Sequence, residues 1–294
     1  LKPAIALIVT ADDFGLGPAT SRGIIRAHLN GPVTATSMMV VTGDRASASA
    51  PLLSQAPRLE VGLHLVLTGA GEKPLVQRRG SGLVGRDGYF LPLAQLLLSA
   101  LRGRLNRAAV GDEIARQAER FTALLGRPPA HVDGHHHAHE LPVIREALVD
   151  VMNAGLLPRI TRTTRLLPGT ARSAPPVLLR QAIAQYLGVA AARTFAAAGI
   201  ASNDLFFGMF EAAEQTSPFP WLRDLNRLER LPPGCVVEWI VHPGLPDDSW
   251  TGRDPYTKGR AQELEALTDP ARRGAWEQWR PNLATKTSTV NHRP

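Results

Sequence analysis

Ala4-Ile5-Ala6-Leu7-Ile8-Val9-Thr10-Ala11-Asp12-Asp13, residues 4–13, joins an unbroken apolar run to two adjacent carboxylates. The run Ala4–Thr10 predicts a strand buried on both faces, as in a parallel sheet. The stretches that follow agree. Pro18–Leu29 has helical spacing, with Ile24, Ile25 and Leu29 on one side. Thr34–Thr42 is rich in β-branched residues and Met, Gly43–Gln55 is an Ala/Ser-rich helical stretch, and Glu60–Leu67 is a third apolar strand. The order β-α-β-α-β implies parallel pairing. Further helices are predicted over Ala109–Leu125, Pro142–Asn153, Val177–Ala198, Leu222–Leu231, Arg260–Leu267 and Pro270–Trp279. Further strands are predicted over Ala130–Asp133, Ile160–Thr164, Asp204–Phe207 and Cys235–Val241. This alternation predicts an α/β fold, a distorted (β/α) barrel of the TIM type, complete or with fewer than eight strands. Residues 1–280 read as one domain, and 281–294 as a polar, frayed tail. The glycine-rich insertion 68–106, with Leu-rich Leu91–Leu101 inside it, reads equally as a binding loop or lid and as a mobile insertion without a role.

Composition narrows the classes. With 294 residues, 44% hydrophobic and 20% charged, the chain is of ordinary globular type. The net charge of +7 comes from scattered arginines; the lysines are Lys2, Lys73, Lys258 and Lys286. No K/R-rich run interleaved with aromatics occurs, so no nucleic-acid partner is expected. The single cysteine, Cys235, cannot form an internal disulfide and opens an apolar strand, which predicts a buried thiol. No stretch approaches the ~20 apolar residues of a membrane span. Ile5–Val9 is too short for the core of a signal peptide, and a cytoplasmic enzyme is expected. Exposed apolar helix faces would allow a homodimer.

Barrels of this kind carry their active residues at the C-terminal ends of the strands, and chemistry-bearing residues do follow the apolar runs. Asp12-Asp13 follows the first. One carboxylate can bind a metal while the other stays free as a base. Capping of the next helix would explain one Asp, but not an acidic pair. His64 sits inside Val61–Leu67, with Gly62 leaving room on the same face; alone it would read as a core histidine. The densest signal is His131-Val132-Asp133-Gly134-His135-His136-His137-Ala138-His139, where five of the nine histidines fall within nine residues. In an extended chain His131, Asp133, His135, His137 and His139 would line one side. In a helix His135 and His139 would pair. Pro128-Pro129 and Pro142 favour an extended or turning path. His242 ends the late strand and reads as a proton donor or as a hydrogen-bonding cap. One Asp and two His would hold one divalent ion and leave positions open for water and substrate. Such an ion acidifies bound water and polarises a carbonyl. A free carboxylate then takes the water's proton and a histidine protonates the leaving amine, which is amide or ester hydrolysis. Imidazole ligands favour Zn²⁺ over Mg²⁺.

Four segments together resemble the YdjC-like carbohydrate deacetylases, a group with chitooligosaccharide and hopanoid-associated branches. They are Ala11-Asp12-Asp13-Phe14-Gly15-Leu16, Gly62-Leu63-His64-Leu65, the stretch 131–139, and His242-Pro243; Arg260–Asp269 is a weaker match. The resemblance implies a distorted barrel and removal of an acetyl group from an N-acetylated sugar or glycolipid. It implies Asp13, His64 and His135 as metal ligands, Asp12 as base and His242 as acid or oxyanion partner. His131, Asp133, His137, His139 and Asn203 are expected near the substrate. Family members are described with Mg²⁺, so the ion stays open between Mg²⁺ and Zn²⁺. The family often has Ser at Gly134 and Ala at Gly244. Asn203-Asp204 and Phe206-Phe207-Gly208 look more like the hopanoid-associated branch. The alternatives are a hydrolase of another amide, ester or phosphate, and a non-catalytic sugar- or metal-binding regulator on the same fold.

Overall fold

A computed structural model describes residues 5–69, 71–77, 80–169, 175–208, 221–246 and 256–284. The elements run β1 (Ala6–Phe14), α1 (Pro18–Asn30), β2 (Ala35–Met38), α2 (Asp44–Ser49), β3 (Glu60–Leu65), α3 (Leu93–Leu101), α4 (Arg107–Leu125) and β4 (Val132–Gly134). Then come α5 (Pro142–Asn153), α6 (Pro175–Ala197), β5 (Leu205–Phe207), α7 (Trp221–Arg227), β6 (Val236–Val241), α8 (Thr257–Thr268) and α9 (Gly274–Glu277). The sheet order is β4-β3-β2-β1-β6-β5, with every neighbouring pair parallel. The segment predicted as a strand at 160–164 makes only isolated bridges. Thr161 bridges Val132, Ile160 bridges Ala201, and Leu166 bridges Phe206. These contacts link the β4 edge to the β5 edge, so the sheet curls into a distorted barrel, with six strands among the described residues.

The alternation along β1 separates two environments. Leu7, Val9 and Ala11 join the large apolar core, whereas Ile8 packs against Ala35 and Val236 in a smaller cluster. The next residues on the Ile8 face are Thr10 and Asp12, as period two requires. Above that apolar floor the interior is polar. Arg162 donates to Glu238 and Thr10 across the barrel, and His131 Nδ1 lies 3.3 Å from Glu60 Oε1. Buried charges persist where they are paired. On the outer side Phe207 stacks on Trp239 with centroids 5.8 Å apart, worth about 1 kcal/mol beyond its burial.

Several expected boundaries move. The second strand is Ala35–Met38 only, and the helix expected to Gln55 tightens into a 3-10 turn at Ala50–Gln55. Leu29 is exposed, whereas Ile24 and Ile25 are buried. Of the expected tail, residues 282–284 are packed rather than frayed. Leu283 bridges Leu7, Ala284 N donates to Leu7 O, and Asn282 Nδ2 donates to Ile5 O. The rest of the tail, 285–294, lies outside the described residues. The insertion is also tied down. Leu75 N and Val76 N donate to the buried carboxylate of Glu113 on α4, and Leu83, Phe90, Leu96 and Leu105 belong to the core. Among the described residues, no helix is long and apolar enough to cross a membrane.

Candidate metal centre and active site

Neighbouring residues of a regular strand face opposite ways, yet Asp12 and Asp13 both reach His64. The cause is a break in the β1–β2 register between Ala11 and Phe14, with Asp13 at φ 69°. A bulge of this kind re-aims a side chain, and Asp tolerates the left-handed region better than most residues. Asp13 Oδ1 lies 3.5 Å from His64 Nε2 and 3.4 Å from His135 Nδ1, and neither approach closes a hydrogen bond. Two ligand atoms about 2.1 Å from one tetrahedral ion stand roughly 3.4 Å apart. An acceptor buried without a hydrogen bond, facing two imidazole nitrogens at that spacing, fits a divalent cation. These three residues could therefore hold one metal ion. A second acidic grouping, Asp12, His64 and Asp133, has a different character. There His64 Nδ1 donates to Asp133 Oδ1 at 2.7 Å, and a proton occupies the space an ion would need.

That hydrogen bond sets the tautomer. With Nδ1 committed to Asp133, His64 presents Nε2 to Asp13 and His135, the usual arrangement behind a metal-binding histidine. Ser37 Oγ donates to Asp12 Oδ1 at 2.7 Å and lies 3.1 Å from His64 Nδ1, linking base and ligand. Burial pushes the Asp12 carboxyl up to about 6, opposed by His64 and reinforced by Asp133. Burial would also raise Asp13, but Arg260, His135 and His64 outweigh it and hold that carboxyl well below the usual range. Burial pulls His64 down, but Asp133 and Asp12 prevail and push it up to about 9. The room beside His64 at Gly62 is filled by His131. A Cβ at Gly62 would stand 2.2 Å from His131 Nε2.

The histidine stretch does not run as an alternating strand. β4 stops at Gly134, and residues 135–140 form a 3-10 turn in which His136 and His137 both take φ 54°. The two left-handed residues break the expected common face. His135 turns to Asp13, His136 stacks on His135 at 3.9 Å, and His137 meets the edge of Phe206 at 5.3 Å. His131, Asp133, His139 and Asn203, expected near the substrate, are buried and held by protein groups. His131 lies under Gly62, and Asp133 holds His64. His139 Nε2 pairs with Arg162 O at 2.9 Å. Asn203 donates to the Thr163 and Leu205 carbonyls and accepts from Thr163 N.

Glu140 closes the turn onto the 160s segment. Its Oε1 accepts from Thr164 N, its Oε2 lies 2.6 Å from Thr164 Oγ1, and that hydroxyl also reaches Ala184 O. One hydroxyl proton cannot serve both acceptors. A neutral Glu140 resolves this by donating from Oε2 to Thr164 Oγ1, which then donates to Ala184 O. Burial accordingly pushes Glu140 up to about 7, against the Thr164 hydrogen bonds. Between the unfolded value near 4.5 and about 7 the folded state binds the extra proton, so stability falls as pH rises through that window. The loss is about 3 kcal/mol. Glu140→Gln preserves the neutral pattern. Urea midpoints at pH 4.5 and 8 should show wild type losing about that much more than the variant; equal slopes would place Glu140's proton elsewhere.

Sequence reasoning missed what α8 contributes. Arg260 Nη2 donates to Asp13 Oδ2 at 2.6 Å, and Glu263 accepts from His242 N and, at 2.6 Å, from Tyr256 OH. The weaker family match at Arg260–Asp269 was the signal that was available. His242 follows β6; its ring meets Tyr256 edge-on at 6.0 Å, and its Nδ1 is buried without a hydrogen bond. Burial lowers its pKa, opposed by Asp13 and Asp12.

Comparison with known proteins finds relatives over most of the chain. The mouse protein named carbohydrate deacetylase is 32% identical over 286 residues, 93% of this chain and 91% of that one. A chitooligosaccharide deacetylase of Klebsiella pneumoniae is 33% identical, covering 92% and 93%. A solved Enterococcus faecalis structure, provisionally described as a cellobiose-phosphate cleavage protein, superposes with a TM-score of 0.71 at 25% identity, covering 96% and 98%. The YdjC-like protein family matches residues 6–278, and with nearly the whole chain covered, this protein belongs to that family.

Proposed function

We propose that the chain is a divalent-metal-dependent carbohydrate N-deacetylase, releasing acetate and a free amine from an N-acetylated amino sugar or glycoconjugate. The observation that carries this is the convergence of Asp13, His64 and His135 beside an Asp12 that remains outside the ligand set. The names of the mouse and Klebsiella relatives support the substrate class. A divalent ion held there would acidify water and polarise the acetyl carbonyl. Asp12 Oδ2 takes a proton from the attacking water, while Ser37 steadies Oδ1. His242 delivers a proton to the departing amine. Burial lowers its pKa in spite of Asp13 and Asp12, so the ring rests neutral and passes on the proton that Asp12 takes from the water. Asp133 keeps His64 in the tautomer that leaves Nε2 available.

The test is acetate release from a panel of N-acetylglucosamine oligosaccharides, with protein loaded with Zn²⁺ or Mg²⁺. Release should vanish with a chelator and in His135→Ala. A panel without turnover, from protein holding one ion per chain, would instead favour another amide or ester substrate or a non-catalytic sugar-binding role.

A further inference from the structure

We infer that Arg260 is a positioning residue for the metal ligand Asp13, occupying Oδ2 so that Oδ1 alone faces His64 and His135. The inference rests on the metal-site reading above and extends it to a residue outside the ligand set. Asp13 needs such an anchor. It sits in the break of the β1–β2 register at positive φ, where the sheet ladder does not fix its side chain. Its two oxygens are divided in use. Oδ2 accepts from Arg260 Nη2 at 2.6 Å, and Oδ1 faces the two imidazoles with no hydrogen-bond partner among the described residues. Both side chains are buried, so water does not compete for either oxygen.

The arginine is itself held. Gly244 N donates to Arg260 O at 3.1 Å, and Glu263, one turn on, accepts from His242 N. The Arg260 stem lies 3.2 Å from where a Gly244 Cβ would stand, so α8 is seated against the chain that leaves β6. The helix thereby sets Asp13 of β1 and His242 after β6 in one frame. The single hydrogen bond from Nη2, on a guanidinium whose stem is held by Gly244, directs Oδ2, which the flexible ammonium of a lysine does less well. Without it Asp13 can rotate and offer both oxygens to an ion, closing a position that substrate or water would use.

The experiment titrates Co²⁺ into the full chain and into Arg260→Gln and Arg260→Lys, following heat and the visible absorption band. Circular dichroism confirms that each variant is folded. In Arg260→Gln, Kd should rise about tenfold or more, and the band should weaken as the coordination number rises. Arg260→Lys should show the same changes to a smaller degree. A folded variant of either kind with wild-type Kd and band would overturn the inference. Wild-type protein that binds no Co²⁺ would instead overturn the metal-site reading.

Discussion

Asp12→Asn is expected to lower kcat for acetate release by about 10²- to 10⁴-fold, the contribution of a positioned general base, while leaving divalent-ion affinity within a few-fold of wild type. The amide has the carboxylate's shape and its oxygen can still accept from Ser37 Oγ, so the link through Ser37 toward His64 survives. What is lost is the capacity to take a proton. The geometry separates the two acids: Asp13 Oδ1 faces two imidazoles, whereas Asp12 lies against Ser37 and outside that triad. Steady-state kinetics and calorimetric ion titration on one preparation check both halves. A variant that keeps more than about a tenth of wild-type kcat would remove Asp12 from the base role. A variant that loses the ion would make Asp12 a ligand and favour the second acidic grouping. Asp13→Asn provides the contrast, since it should lose the ion and the activity together.

The parts of the site legible in the sequence are those fixed by local chain geometry. An apolar strand ending in Asp12-Asp13 states both the strand and its active end, because an acidic pair after a buried apolar run marks where the strand opens to chemistry. His64 beside Gly62, the histidine stretch and His242 were legible for the same reason. Where local geometry turns irregular, the reading failed. Alternation predicts His137 and His139 on the side of His135, but consecutive left-handed residues at His136 and His137 redirect the chain. Pro128-Pro129 and Pro142 favoured an extended or turning path, but they do not say which histidines face together. Positions set by tertiary contact were harder still. Ser37 comes 25 residues after its partner Asp12, and Arg260 comes 247 after Asp13. The packing of α8 against α1 and against the chain that leaves β6 brings the latter pair together. Glu238, a charge in the middle of the most apolar strand, was a visible anomaly whose partner Arg162 lies in a segment that makes bridges rather than a strand.

Gly62→Ala is expected to cost about 3 kcal/mol of stability or more, at the upper end for an added methyl group, and to weaken ion binding although residue 62 contacts no ion. The new Cβ would stand 2.2 Å from His131 Nε2 and 2.4 Å from two ring carbons. The imidazole is fully buried between Glu60 and Asp133, so it has no solvent to move into. Relief must come from β3 and β4 moving apart, where His64 pairs with Asp133 in the ladder. That pair also carries the 2.7 Å hydrogen bond that fixes the His64 tautomer, so a packing error one pleat below the site becomes a fault in the ligand set. Urea unfolding and ion titration of Gly62→Ala measure the two effects. His131→Ala on the same background removes the obstructing ring and should recover much of the ion affinity. An unchanged urea midpoint in the single variant would mean that His131 yields freely. A double variant no better than the single one would place the damage in β3 itself rather than in the clash.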